Sequence, residues 1–182
     1  MGENGMASFQ NRIIRAAKLD AHLYEEVEAD KGAMGQATAV VVLSSIAGGI
    51  AYTASAGLGG ILIGTIAALV AWYIWAFLTY LIGTKLLPEP QTKADVGELL
   101  RTIGFSSSPG FIRVLGIIPF LRGMVFLVAG VWMLVAMIIA VRQALDYQST
   151  LRAVGVCIIG WIAQAAVLML LFYFLGGTGK PV

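Results

Sequence analysis

Charge is what this chain has least of. Only 12% of its 182 residues are Asp, Glu, Lys or Arg, where globular domains carry about a quarter. The formal net charge is +2 and no basic cluster forms a nucleic-acid footprint, so nucleic acid is not an expected partner. A single cysteine, Cys157, lies inside an apolar run; it excludes an intramolecular disulfide and leaves the redox compartment unread. His22 is the one histidine, and the carboxylate four residues on, Glu26, faces it with no second ligand-bearing helix, so a metal site is not expected. Ser107 and Ser108 have no base nearby in sequence. There is no His-Glu-x-x-His, no Gly-x-Ser-x-Gly and no phosphate-cradling glycine loop. No catalytic, cofactor-binding or metal-ligating residue is expected, and the expectation is a non-enzyme. Residues 1–31 lack the continuous apolar core of a signal peptide, which leaves insertion to the first true span.

What the chain has instead is apolar surface: 59% of its residues are hydrophobic. The expected architecture is all-α, a polytopic transmembrane helical bundle. Residues 1–33 read as N-terminal amphipathic helices, 34–176 as one transmembrane domain and 177–182 as a short tail. In Met6–Lys18 the residues Met6, Phe9, Ile13 and Ala17 share one side of a helical wheel, with Asn11, Arg12, Arg15 and Lys18 opposite. Phe9, Arg12, Ile13 and Arg15 fit a helix lying in the anionic headgroup layer; the same pattern fits a helix docked on the protein's own surface. Residues 19–31 continue as an acidic helix.

The spans are expected at about 35–54, 60–82, 104–121, 124–141 and 153–175, each near the ~20 residues that cross a hydrocarbon core of about 30 Å. Ser44 and Gly48 in the first, and Gly60 and Gly64 in the second, have the small-xxx-small spacing that lets helices approach closely. Trp72, Tyr73, Trp75, Phe77 and Tyr80 near the end of the second read as an interface belt, with an aromatic box for a ligand as the lesser alternative. Between residues 85 and 101 lies a polar connector, with a capping-box pattern at Thr92 and Asp95 and an apolar stripe at Val96, Leu99, Leu100 and Ile103. Ser149 is placed to cap the last helix, and Gln164 is the one strongly polar side chain inside it.

The third span is the difficult one. Its nine strongly apolar residues are worth roughly −3 to −5 kcal/mol in transfer, and Arg113 near its middle costs about 2.5–3.5 kcal/mol. Ser106, Ser107, Ser108, Pro109 and Pro119 cancel the remainder. The segment crosses only if neighbouring helices cover Arg113 and the backbone groups freed by the prolines. The alternative is four spans with 104–123 as a re-entrant or surface segment. With the N-terminus cytoplasmic, both arrangements keep most Lys and Arg inside, so charge bias does not separate them. Intramembrane polar groups are functional-site candidates, here Arg113, Gln164 and Ser106 to Ser108. An anion path along them, in a transporter or channel component, is the alternative to a scaffold or adaptor role.

Ile103–Pro119, with its Ser-Pro break and an apolar run ending Ile-Ile-Pro, resembles the Yip (Ypt/Rab-interacting protein) domain family. Val131-Trp132-Met133-Leu134, Val141-Arg142-Gln143-Ala144-Leu145 and Ser149-Thr150-Leu151-Arg152-Ala153 carry the same likeness, which covers roughly residues 35–175. Tyr24-Glu25-Glu26-Val27-Glu28-Ala29-Asp30-Lys31 is similar to prokaryotic members. The resemblance implies a five-helix integral membrane domain with a cytosolic N-terminus and no catalytic residues. It also implies a role played through partners, as eukaryotic relatives act in vesicle transport and membrane shaping. Expected partners are the lipid bilayer and membrane proteins or further copies of this chain; the expected location is the bacterial cytoplasmic membrane.

Overall fold

The computed structural model describes residues 3–51 and 53–176; the tail at 177–182 lies outside the described residues. The described elements are all helical: α1 (Glu3–Ala17), α2 (Ala21–Ala29), α3 (Met34–Ile50), α4 (Thr53–Leu81), α5 (Val96–Phe105), α6 (Arg122–Ala144) and α7 (Thr150–Gly176). A 3₁₀ turn at Lys31–Ala33, a π-helical turn at Ile82–Leu86 and a 3₁₀ segment at Ser108–Ile117 complete the order. Four stretches are long and apolar enough to cross a membrane: Lys31–Ile50, Gly57–Leu86, Arg122–Ala144 and Thr150–Leu170.

Residues 104–121 do not form a fifth such helix. The two prolines and the serine triplet break the α-helical ladder after Phe105, and the chain continues as the 3₁₀ segment. The five- and four-span readings therefore meet in this one element, and its position decides what it does. A Cβ built at Gly104 would lie 2.8 Å from the Ala37 methyl, and one at Gly116 would lie 3.1 Å from the Ala51 methyl. Gly97 faces Met34, Gly110 meets Ser44, and Arg113 lies along Gly48. From Gly97 to Gly116 the chain thus runs beside α3 in the same direction, from the start of α3 to its end. The run beside α3 is made of α5 plus the 3₁₀ segment and begins at Val96. At about 2.0 Å rise per residue the 3₁₀ half covers distance faster than an α-helix would.

The polar segments gather at one end as a cap. Arg101 Nε donates to the Val27 carbonyl at 2.9 Å, Gln143 Nε2 to Glu25 at 2.8 Å and Gln91 Nε2 to the Asp146 carbonyl at 2.9 Å. The Tyr147 hydroxyl serves the Gly83 and Leu87 carbonyls at 2.9 and 2.7 Å, covering backbone that the π-helical turn exposes. The capping box on α5 is Asp95 with Glu98, each side chain accepting from the other's backbone N–H at 2.8 Å. The expected Thr92–Asp95 box is shifted by three residues, and Thr92 Oγ1 accepts from Glu89 N at 2.9 Å instead. Ser149 Oγ accepts from Arg152 N at 3.4 Å at the start of α7.

At the opposite end α3 turns into α4, where Gly57 adopts φ 62° and ψ −171°. Only glycine takes that backbone conformation without strain. Leu23, Tyr24, Val27, Leu99, Phe105, Val141 and Leu145 are fully buried beneath the cap, so the densest packing lies at that end.

Candidate functional site

Arg113 leaves the 3₁₀ segment and turns into the bundle. Its Nε donates to the Gly110 carbonyl at 3.0 Å, and its Nη2 donates to both the carbonyl and the hydroxyl oxygen of Ser44 at 2.8 Å. Gly48 makes room, because a Cβ there would lie 3.3 Å from the guanidinium carbon. Gly110 does the same from the other side, with Ser44 Oγ, Arg113 Nη2 and Met133 Sδ crowding its α-carbon. Among the described residues Nη1 has no hydrogen-bond partner and no carboxylate pairs with this cation. A half-buried cation held only by dipoles keeps its full charge available to an anion.

That charge borders a cavity of about 590 Å³ among α3, α4, α6, α7 and the 3₁₀ segment. Its α4 wall is a single stripe, Gly60, Gly64, Ala68, Ala71 and Trp75, spaced so that each residue lies one turn beyond the last. Ser44, Ser45 and Gly48 line the α3 wall. Gly48 and Gly64 thus border an open space as well as lying near a helix contact: a Cβ at Gly64 would meet nothing within 4 Å. Where α3 and α4 do touch, Gly49 lies against Ile61, and Ser45 Oγ donates to Thr65 Oγ1 at 3.1 Å.

The polar residues of the third and last passes divide. Ser107 and Gln164 line the cavity. Ser106 is buried with its hydroxyl on the Ile103 carbonyl at 2.7 Å, and Ser108 is buried with no partner for its hydroxyl. Gln164 Nε2 lies 3.4 Å from the Ala71 carbonyl. The α3–α4 register puts Arg113 roughly seven residues of α4 away from that level, about 10 Å along the axis. Arg113 and Gln164 therefore do not converge on one ion.

Residues that hydropathy placed elsewhere also belong here. Trp72 and Trp75 are 9% and 4% exposed and border the cavity with Trp161; the Trp72 indole donates to the Leu100 carbonyl at 3.2 Å. They face inward, and Tyr73 and Phe77 face outward, so the expected aromatic belt is split. The available signal was spacing: Trp72 and Trp75 continue the stripe of small residues on α4.

The N-terminal helix is docked on the protein. Arg12 Nε donates to Glu26 and Nη2 to Asp30, both at 2.8 Å, and Nη1 donates to Gln36 of α3 at 2.9 Å. Arg15 pairs with Asp20 at 2.8 Å and Glu26 at 2.5 Å. Phe9 and Ile13 pack on the core, and the Trp132 indole of α6 donates to the Ala17 carbonyl at 2.8 Å. His22 Nδ1 lies 3.2 Å from Glu25, not on Glu26. Among the described residues no three His, Cys, Asp or Glu side chains gather as a metal site.

A smaller polar recess of about 330 Å³ lies in the cap between Glu25, Glu28, Arg142 and Asp146. Burial, then the charges of Asp146 and Glu98, push the Glu28 carboxyl up to about 7, with Arg101 opposing. Burial likewise raises the Tyr147 phenol to about 12.

No curated protein and no solved structure matches the chain. The Yip1 domain matches residues 22–172, taking in α2 to α6, most of α7 and the cavity between them. The chain belongs to the Yip1 domain family, as an integral membrane protein of helical-bundle architecture.

Proposed function

We propose that this protein is a non-catalytic membrane scaffold or adaptor that binds lipid or protein partners in membrane organisation or trafficking. The observation that carries the reading is Arg113: a fixed cation facing a cavity whose other polar neighbours are hydroxyls and an amide. Such a set binds and orients. General acid–base chemistry requires a group that gains and loses a proton near neutral pH, and the described residues that line the cavity include none. The cap supports the protein-binding half of the proposal, because ion pairs join α1 to α2 and hydrogen bonds hold both to the bundle, while Gln10, Asn11 and Lys18 stay exposed. In this reading the cap faces the cytoplasm of a bacterial cell. Photo-crosslinking from Gln10 in intact membranes tests it: a discrete membrane-protein adduct, or a second copy of this chain, supports the proposal. An unpatterned smear of adducts overturns its protein-partner half.

The cavity favours one second reading, passage of a small anion past Arg113. Reconstituted protein that moves chloride or phosphate, with the flux lost in Arg113→Ala, would establish it. Absence of wild-type flux removes it.

A further inference from the structure

The shape of the cavity, more than its charge, names a ligand. Its α4 wall runs from Gly60 to Trp75, fifteen residues at about 1.5 Å each, or roughly 22 Å. Arg113 lies at the level of Gly64, toward the end where α3 turns into α4, so about 16 Å of wall extends from the guanidinium toward the cap. Its α4 side is apolar, floored by Gly64, Ala68 and Ala71 and ended by the rings of Trp72, Trp75 and Trp161, with Gln164 bordering it near Ala71. A hydrated inorganic anion has no use for such a slot. It would also need several donors around it, and Gln164 is about 10 Å away along the axis.

We infer that the cavity binds one anionic phospholipid, its phosphate on the free Nη1 arm of Arg113 and one acyl chain along the α4 stripe toward the tryptophans. Charge complementarity supplies the head contact: the cation has no carboxylate of its own, and a phosphate accepts strongly from a guanidinium. Small residues supply the chain contact. Gly64 leaves open space where any side chain would fill it, and it stands where the acyl chain would leave the level of Arg113. Ser45 and Ser107 also line the cavity. The inference rests on the non-catalytic binding reading above and names one of its partners.

Tryptophan emission reads the slot directly, because three of the four tryptophans border it. Purified full-length protein in detergent is titrated with phosphatidylglycerol carrying a brominated acyl chain, with the matching brominated phosphatidylcholine, and with inorganic phosphate as competitor. The expected result is saturable quenching with one site, about tenfold tighter for the anionic lipid, because the choline cation of phosphatidylcholine offsets the charge that its phosphate offers Arg113. Arg113→Gln should reduce that preference to about one, and Arg113→Lys should keep most of it. Gly64→Leu leaves Arg113 in place and replaces glycine with a better helix former, yet it should remove saturable quenching by either lipid. Equal quenching by the two lipids in wild type, or wild-type quenching in Gly64→Leu, overturns the inference. Inorganic phosphate that competes as well as the lipid also overturns it, since the site would then be one for free anions. Loss of lipid binding with the Gln10 crosslink intact would sink the lipid site alone and leave the scaffold reading standing.

Discussion

Arg113 Nη2 lies 2.8 Å from both oxygens of Ser44, a residue 69 positions earlier in the chain. The pair fastens the broken third pass to α3, and it converts a charge that is costly in lipid into a donor held by dipoles. Gly110 permits the approach. In Gly110→Ala the new methyl would meet Ser44 Oγ, Arg113 Nη2 and Met133 Sδ at once, so a loss of about 1–3 kcal/mol is expected. Ser44→Ala removes one acceptor and leaves the carbonyl, with an expected cost of about 1 kcal/mol. Thermal unfolding of both variants in the same detergent should rank them in that order.

Glu28 makes the cap sensitive to pH. Its folded-state value of about 7 stands above the ordinary 4.5, so the folded protein binds this proton more tightly than the unfolded chain does. The stability it contributes is fully present below about 4.5 and is lost as pH rises through about 7. Glu28→Gln should therefore be the more stable protein at pH 8, by about 1 kcal/mol once solvent screening of a half-buried carboxyl is allowed for. At pH 4 the two should be nearly equal. Unfolding midpoints at the two pH values check the sign.

Arg12 joins α1 to both α2 and α3, with its side chain 11% exposed. Arg12→Gln leaves Glu26 with Arg15 alone and Asp30 with only the more distant charge of Arg101, at an expected cost of about 1–3 kcal/mol. The loss should be local. Hydrogen exchange should quicken in α1 and at the start of α2, with α6 and α7 unchanged; a uniform quickening across the bundle would contradict the docking described.

The α5 cap separates two readings of one stretch. Asp95→Ala breaks the reciprocal box with Glu98 and should cost about 1 kcal/mol. Thr92→Ala should cost less, because Thr92 closes only the turn at Glu89. Equal costs would mean that α5 starts elsewhere.

Much of the bundle was legible from composition. Four apolar runs of membrane length stand out because each is long and nearly free of charge, and each is a helix. The third pass was legible only as a problem. Transfer arithmetic counts Arg113 as exposed to lipid, since a local window cannot know that Ser44 and Gly110 supply its acceptors. For the same reason α5 was read apart from the segment that starts at residue 104. Val96 to Ile103 show the stripe of a surface helix, and what covers that stripe is α2 and α3, distant in sequence. The aromatic belt failed for Trp72 and Trp75 because composition does not tell which side of a helix faces its neighbours. Ser44, Gly48, Gly60 and Gly64 were visible as small residues; that a stripe of them borders a cavity depends on α6 and α7 standing back from it. His22 was visible as isolated, and it sits on the exposed surface of α2.

The most direct test of the account asks on which side of the membrane the third pass ends. In a Cys157→Ser background, single cysteines at Lys93 and Phe120 flank the pass, and both positions are exposed. An impermeant maleimide applied to sealed, oriented vesicles should label one from outside and the other only after permeabilisation, because α5 and the 3₁₀ segment carry Arg113 across. Labelling of both from the same side would show that the segment enters and returns, and the five-pass bundle around Arg113 would be wrong.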